Sequence, residues 1–177
     1  IRICLVGSEM CIRDRGKTIY TWHSDYCSST TPHIIFSVSK SLTALLIGCV
    51  IDEGLLSEET LVSQIIPETK GSAFEDASVR NLLDMSVSSN FIEDYEATSG
   101  IFLDYRQSTG WNPQDIDDTS HLKSFLLSLK KNTHNHGEKF EYHSTNTDML
   151  GIIIEQCTSK KYAQYFFEKL MKPLGAK

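Results

Sequence analysis

The segment "FSVSKSLTALLIG" (residues 36–48) sets Ser37, Ser39 and Lys40 at the mouth of a long apolar run. A serine and a lysine three positions apart share one helix face, one turn from each other. There a neutral lysine amine can take the serine proton and make the hydroxyl a nucleophile. Burial favours the neutral amine because water no longer stabilises the ammonium, so an apolar helix start suits this chemistry. Ser39 precedes Lys40 directly and faces elsewhere, so it receives no catalytic role. The same spacing recurs at Ser120/Lys123 and Ser128/Lys131, on or at the end of a surface helix, where serine caps or fills and lysine is solvated. Only the first pair opens a nearly all-apolar helix. Its own face continues with Ser41, Ala44 and Gly48, small residues that let other elements approach closely. Taken alone, Ser37 reads equally well as a helix N-cap.

A second chemical group stands in "YHSTN", Tyr142 to Asn146. A phenol beside a neutral lysine can relay protons between a serine and a leaving group. The plainer reading of this stretch is a packed tyrosine with a helix cap next to it. "HNH" (His134 to His136) could chelate through two histidines, but no carboxylate or cysteine stands at a usual spacing and Gly137 suggests a turn. No metal is expected.

The elements that must position these groups follow from pattern. "GKTIYTW" (Gly16 to Trp22) reads as a strand, followed by a loop rich in Ser and Thr. "RGKT" is not a phosphate loop, since Cys11 stands where Walker spacing needs its earlier glycine. From Leu42 the apolar residues recur at Leu45, Leu46, Cys49 and Val50, the rhythm of a buried helix that Gly54 ends. Ser57 is expected to cap a short segment running to Pro67, and "SVRNLLDM" (Ser78 to Met85) to form a short helix. A long irregular stretch then extends to about residue 117, of the kind that lines binding sites. Thr119 to Lys131 reads as an amphipathic helix and "NTHNHG" as a turn. "KFEY" reads as an extended arm into a helix capped by Asn146 and carrying Met149, Ile152, Ile153 and Cys157. Tyr162, Tyr165, Phe166 and Leu170 mark a last helix before Pro173. The reading is one helix-rich domain with too few strands to close a sheet.

Composition sets bounds. The 177 residues are 40% hydrophobic and 23% charged with a net charge of −6, so nothing points to a nucleic-acid or anionic-membrane surface. The longest apolar run, Leu42 to Ile51, is too short to span a bilayer. "CLVGSEMCIRDR" (Cys4 to Arg15) reads back, codon by codon, into the end of a transposase-type sequencing adapter. We therefore expect residues 1–15 to be a non-native scar that packs against nothing specific, and residues 16–177 to be the N-terminal and central part of a single, truncated domain. Without Cys4 and Cys11, the scattered Cys27, Cys49 and Cys157 form neither a disulfide nor a zinc framework. Cys49 and Cys157 fall in apolar patterns, as small core residues do. The chain lacks an initiator Met and stops at "LMKPLGAK", so both ends read as cut and a signal peptide stays undetermined. The compartment is open, with the cytoplasm slightly favoured over a periplasmic or secreted location.

Taken in order, "SVSKSLTALLIG", "VRNLLDMS", "FEYHSTNTDMLG" and "LMKPLGA" resemble the serine β-lactamase-like superfamily. The resemblance is to the class C β-lactamase and DD-peptidase branch, nearest to the 6-aminohexanoate-dimer (nylon-oligomer) hydrolases, over essentially everything after residue 16. It implies an α/β (α+β) β-lactamase/transpeptidase-like fold: a helical region plus part of an antiparallel sheet, with the C-terminal strands missing. It implies Ser37 as nucleophile, Lys40 as its base or proton partner, Tyr142 as general acid/base, and the Ser37 backbone N–H as half an oxyanion hole. In that subgroup a loop tyrosine closes over substrate, which "EDY" places on Tyr95, and a pocket tryptophan matches Trp111. Alternatively these aromatics merely anchor a long loop. Ser144, two places after Tyr142, is typical of the subgroup, and with Asn146 it is expected to bind substrate. Val87-Ser88-Ser89 replaces the usual "TSG", so the turn there is expected to differ. The family's third motif and second oxyanion donor are expected beyond residue 177.

The implied function is a serine hydrolase that cleaves a small amide or ester through an acyl-enzyme, with no metal or organic cofactor. The alternatives are a penicillin-recognising DD-carboxypeptidase or class C-type β-lactamase and, in another class, a non-catalytic binding or sensor protein on the same fold. The expected partner is the small-molecule substrate, with no nucleic acid and no transmembrane segment. Natural substrate and oligomeric state stay open.

Overall fold

Glu9–Asp14 (β1) and Lys17–His23 (β2) pair as an antiparallel hairpin, from Glu9 opposite His23 to Asp14 opposite Lys17. Its two-residue loop puts Arg15 at φ 44° and Gly16 at φ 77°, the left-handed pair that matches strand twist. The register slips between Ile12 and Arg13, a β-bulge. Residues 9–14, expected to pack against nothing, thus supply one of the two strands. A generic alternating stretch finds backbone partners readily once a tight turn brings it back on itself. The Ser- and Thr-rich loop that follows is built on local turns, with the Thr31 hydroxyl accepting from the Ser28 N–H at 2.9 Å.

The computed structural model describes residues 9–113 and 121–176. These fall into two units, one up to Phe36 and one from Ser37 onward. The second unit holds helices Val38–Asp52 (α1), Val62–Ile65 (α2), Val79–Leu83 (α3), Ile101–Ser108 (α4), Leu122–Ser128 (α5), Ser144–Thr158 (α6) and Tyr162–Phe166 (α7). α7 runs on into a π-helical turn, Phe167–Met171. α6 is the hub, packing against α1, α2, α3, α5 and α7. Its apolar side (Met149, Leu150, Ile153, Ile154) meets Leu46, Ile47 and Val50 of α1 in a core that is essentially closed to water. Cys49 and Cys157 pack half-buried against that core.

α1 ends as its sequence directs. Gly54 takes φ 71°, its N–H reaches the Ile51 carbonyl, and the Leu55 N–H reaches Val50 (2.9 and 3.2 Å), a Schellman stop. The burial of α1 differs from the expected pattern. Thr43, Leu46, Ile47 and Val50 are buried, whereas Leu45 is 58% exposed on the same side as Ser37, Ser41, Ala44 and Gly48. A methyl group added at Gly48 would meet nothing within 4 Å.

Three further differences matter for the site. The stretch expected to be irregular contains α4, because Phe102 and Tyr105 share a helix face that buries against Phe91 and Phe125, with ring centroids 5.3–6.1 Å apart. α5 stops at Ser128 and does not reach Lys131: the Ser128 hydroxyl turns back to the Phe125 carbonyl (2.7 Å), and the Leu129 carbonyl is claimed by the Ala73 N–H (2.7 Å). Ser57 starts a turn, its N–H donating to Thr60 Oγ1 at 3.0 Å, while α2 begins only after Leu61. α3 does follow the expectation, Ser78 forming a reciprocal capping box with Asn81.

Candidate active site

Ser37 sits at the N-cap position of α1, yet its side chain makes no capping hydrogen bond. Its Oγ accepts instead from Lys40 Nζ at 3.2 Å and from the Tyr142 hydroxyl at 2.8 Å. Lys40 Nζ also lies 5.1 Å from the centre of the Tyr142 ring. A serine, an amine and a phenol from segments 102 or more positions apart therefore meet at one oxygen. Ser37 is exposed, Lys40 half-buried and Tyr142 40% exposed, so the serine hydroxyl lies towards solvent with the amine and phenol beside it. The residue before Ser37, Phe36, holds a left-handed φ of 42°, an uncommon conformation for a side chain of that size.

Each partner is fixed by its element. Ser37 and Lys40 are one turn apart at the head of α1, whose Lys40 N–H bonds the Ser37 carbonyl at 3.1 Å. Tyr142 lies on the arm leading into α6 and is held from both sides. The Glu141 N–H donates to the Met85 carbonyl (2.8 Å), and the buried His143 ring packs edge-on against Phe91 at 5.4 Å. Burial drives the His143 imidazole below its ordinary pKa. The same arm is secured further back, where the Gly137 N–H bonds the Ser86 carbonyl at 2.9 Å. His136 Nδ1 accepts the Ser88 N–H (2.9 Å) and its Nε2 meets Asp76 Oδ1 (3.0 Å). His134 meets Glu141 at 3.1 Å. "HNH" thus ties the arm down, and Val87, Ser88 and Ser89 are buried beneath it.

A cleft of about 570 Å³ opens beside Tyr142, lined among others by Ser89, Ile92, Glu93, Asn132 and His143. Tyr95 is 67% exposed, its ring edge-on to Phe102 at 5.2 Å. Its hydroxyl donates to Glu93 in a short bond. That bond, burial and the Glu93 charge push the phenol up to about 12, with nearby Tyr142 adding to the effect. Trp111, on the turn after α4, is 64% exposed and is not among the residues lining the cleft. Ser144 spends its N–H and hydroxyl on Glu93, at 2.5 and 2.8 Å. Asn146 is neither cap nor surface group: α6 starts two residues earlier, which puts Asn146 inside at 1% exposure with its amide nitrogen 3.7 Å from Met85 Sδ.

Two acids escaped the sequence reading. Glu93 is the hub for Tyr95 and Ser144. Asp148, one turn into α6, accepts from the Tyr105 hydroxyl at 2.7 Å. Burial raises the Asp148 carboxyl to about 6, against the pull of Tyr105 and of the Lys40 charge. The residue keeps some surface, but its carboxyl is the deeply packed part. Both acids stood in quoted motifs, "EDY" and "NTD". Their signal was position beside a candidate group, which sequence separation alone does not convert into contact.

The β-lactamase family profile matches residues 5–177, and the chain belongs to the β-lactamase family, with its β-lactamase/transpeptidase-like fold. It is 34% identical over 144 residues to the 6-aminohexanoate-dimer hydrolase of Paenarthrobacter ureafaciens, covering 81% of this chain and 36% of that protein. It is 31% identical over 156 residues to Protein flp of Staphylococcus aureus (strain MW2), covering 85% and 28% respectively. The chain thus spans about a third of the curated relatives it matches. Among solved structures, a candidate 6-aminohexanoate-dimer hydrolase from Bacillus anthracis superposes with a TM-score of 0.81 at 22% identity, over 93% of this chain and 43% of that one. No helix among the described residues is long and apolar enough to cross a membrane.

Proposed function

We propose that this protein is a serine hydrolase acting on a small amide or ester through an acyl-enzyme on Ser37. One observation carries the reading: Ser37 Oγ, free of any capping duty, accepts from both Lys40 Nζ and Tyr142 OH. In the first step the Ser37 oxygen bonds to the substrate carbonyl carbon. Its proton passes to the Lys40–Tyr142 pair, and from Tyr142 to the leaving nitrogen or oxygen. The carbon–nitrogen or carbon–oxygen bond then breaks, leaving an ester on Ser37. Water attacks that ester, its proton returns along the same groups, and the free acid departs. The Ser37 N–H would give half of the oxyanion hole. A linear amide is favoured over a β-lactam by the likeness to a 6-aminohexanoate-dimer hydrolase and by the loop tyrosine Tyr95, joined through Glu93 to Ser144, two residues after Tyr142. Tyr95 would add a hydrogen bond where a poor leaving amine needs one.

The direct test is labelling of the full chain with a serine-directed fluorophosphonate, read by peptide mass. The expected adduct is on Ser37 and is lost in Ser37→Ala. An adduct on Ser128 or Ser120 instead, or none anywhere, overturns the reading. Efficient penicillin turnover with negligible ester or amide cleavage would move the protein to the β-lactamase side of its family.

A further inference from the structure

We propose that Glu93 is a positioning residue that ties the Tyr95 loop to the head of α6, and so sets where Tyr95 stands relative to Tyr142. The proposal deepens the hydrolase reading above and rests on it.

One carboxylate does both jobs. Glu93 Oε1 accepts from the Ser144 hydroxyl at 2.8 Å and from the Tyr95 hydroxyl, while Oε2 accepts from the Ser144 N–H at 2.5 Å. The first N–H groups of any helix lack partners within the helix, and the residue at the N-cap of α6, His143, offers no side-chain bond. Glu93 fills that need from 51 positions away in sequence. Its charge also sits at the positive end of the α6 dipole. Tyr142 is two residues before Ser144 and lines the same cleft as Glu93. Any motion of the Tyr95 loop relative to Tyr142 must therefore break or carry along a three-donor carboxylate. A glutamine has the same shape but no charge and one accepting oxygen fewer, so it cannot hold Tyr95 and both Ser144 donors at once.

The experiment uses the full chain with butyryl-p-nitroanilide and p-nitrophenyl butyrate, an amide and an ester of one acyl group. Tyr95 matters most for the amide. Glu93→Gln is therefore expected to lower kcat/KM for the anilide by about thirtyfold and for the ester by no more than about threefold. Tyr95→Phe should show the same pattern, and Glu93→Gln/Tyr95→Phe should lose little more than either single change, because both break one linkage. Equal losses on amide and ester, or losses that multiply in the double variant, would overturn the proposal. If Glu93→Gln does not melt cooperatively, Ser144→Ala and Tyr95→Phe carry the same cycle, with non-additivity again required. A wild-type chain that cleaves neither compound and takes no fluorophosphonate on Ser37 would sink the hydrolase reading, and this proposal with it.

Discussion

The head of α1 and the tail of α5 carry the same spacing, Ser37–Lys40 and Ser128–Lys131, and use it in opposite ways. At α1 the serine oxygen is an acceptor for both an amine and a phenol. At α5 the serine hydroxyl is spent on the Phe125 carbonyl, and Lys131 pairs with Asp76 at 2.5 Å. The Ser128 hydroxyl serves the backbone of its own helix end, and the chain has left helical geometry before Lys131. A third copy is divided: Lys123 pairs with Glu68 at 2.8 Å, and Ser120 lies outside the described residues. The two serines differ in what their hydroxyls bond, one accepting from two side chains and the other donating to a backbone carbonyl, and in how the neighbouring lysine is paired. Spacing only makes the encounter available.

Removing the Ser37 hydroxyl should have the largest effect. Ser37→Ala is expected to abolish fluorophosphonate labelling and to cut hydrolysis by at least about a thousandfold, whereas Ser128→Ala should leave both unchanged. A fully active Ser37→Ala protein would erase the distinction between the two sites. Next come the partners. Lys40→Ala and Tyr142→Phe should each slow acylation about a hundredfold, the scale of general acid–base assistance, followed by the burst of p-nitrophenol from an activated ester. Tyr142→Phe keeps the ring that lies over Lys40 and removes only the hydroxyl, so a larger loss there than in Lys40→Ala would make the phenol the main proton carrier.

Asp148 allows the surroundings of Lys40 to be tested by pH. Its carboxyl is raised from an ordinary 3.8 to about 6 in the folded protein. The folded state therefore holds that proton more tightly than the unfolded chain does. The stability this contributes is fully present below about pH 4 and is lost as pH rises through about 6. Asp148→Asn removes the dependence while keeping an acceptor for the Tyr105 hydroxyl. Relative to this variant, wild type should lose on the order of 2 kcal/mol between pH 4 and 7, a figure reduced for the residue's partial exposure. Urea melts at both pH values measure it, and parallel curves for the two proteins would mean that the carboxyl is better solvated than its packing implies.

Much of this was legible beforehand, for identifiable reasons. The choice of Ser37 among three motifs came from its apolar setting, and the structure brings Lys40 and Tyr142 to it. The stops at Gly54 and the box at Ser78 are local chemistry, which sequence records directly. What was missed depends on distant partners. α4 forms because Phe102 and Tyr105 find Phe91 and Phe125, and a single aromatic pair in a polar stretch does not announce that. Asn146 looked like a cap because capping residues are recognised by type, yet a glutamate from another segment had taken the role. Leu45 read as core because apolar periodicity specifies a face and not what covers it.

The smallest effect belongs to the structural copy of the motif and completes the contrast. Lys131 holds the Asp76 carboxyl below its ordinary pKa, with His136 adding to it. Asp76 is 58% exposed at its side chain, so solvent screens the pair and Lys131→Ala should cost no more than about 0.5 kcal/mol at neutral pH. The sign of the pH dependence is opposite to that of Asp148. A carboxyl held below its unfolded value contributes stability above about pH 4, and loses it as pH falls further and the proton returns. The cost of Lys131→Ala should therefore shrink as pH falls below the ordinary carboxyl range, with Ser37 labelling at neutral pH unaffected. If Lys131→Ala instead slowed labelling tenfold, the tail of α5 would be coupled to the site, and the two copies of the motif would not be independent.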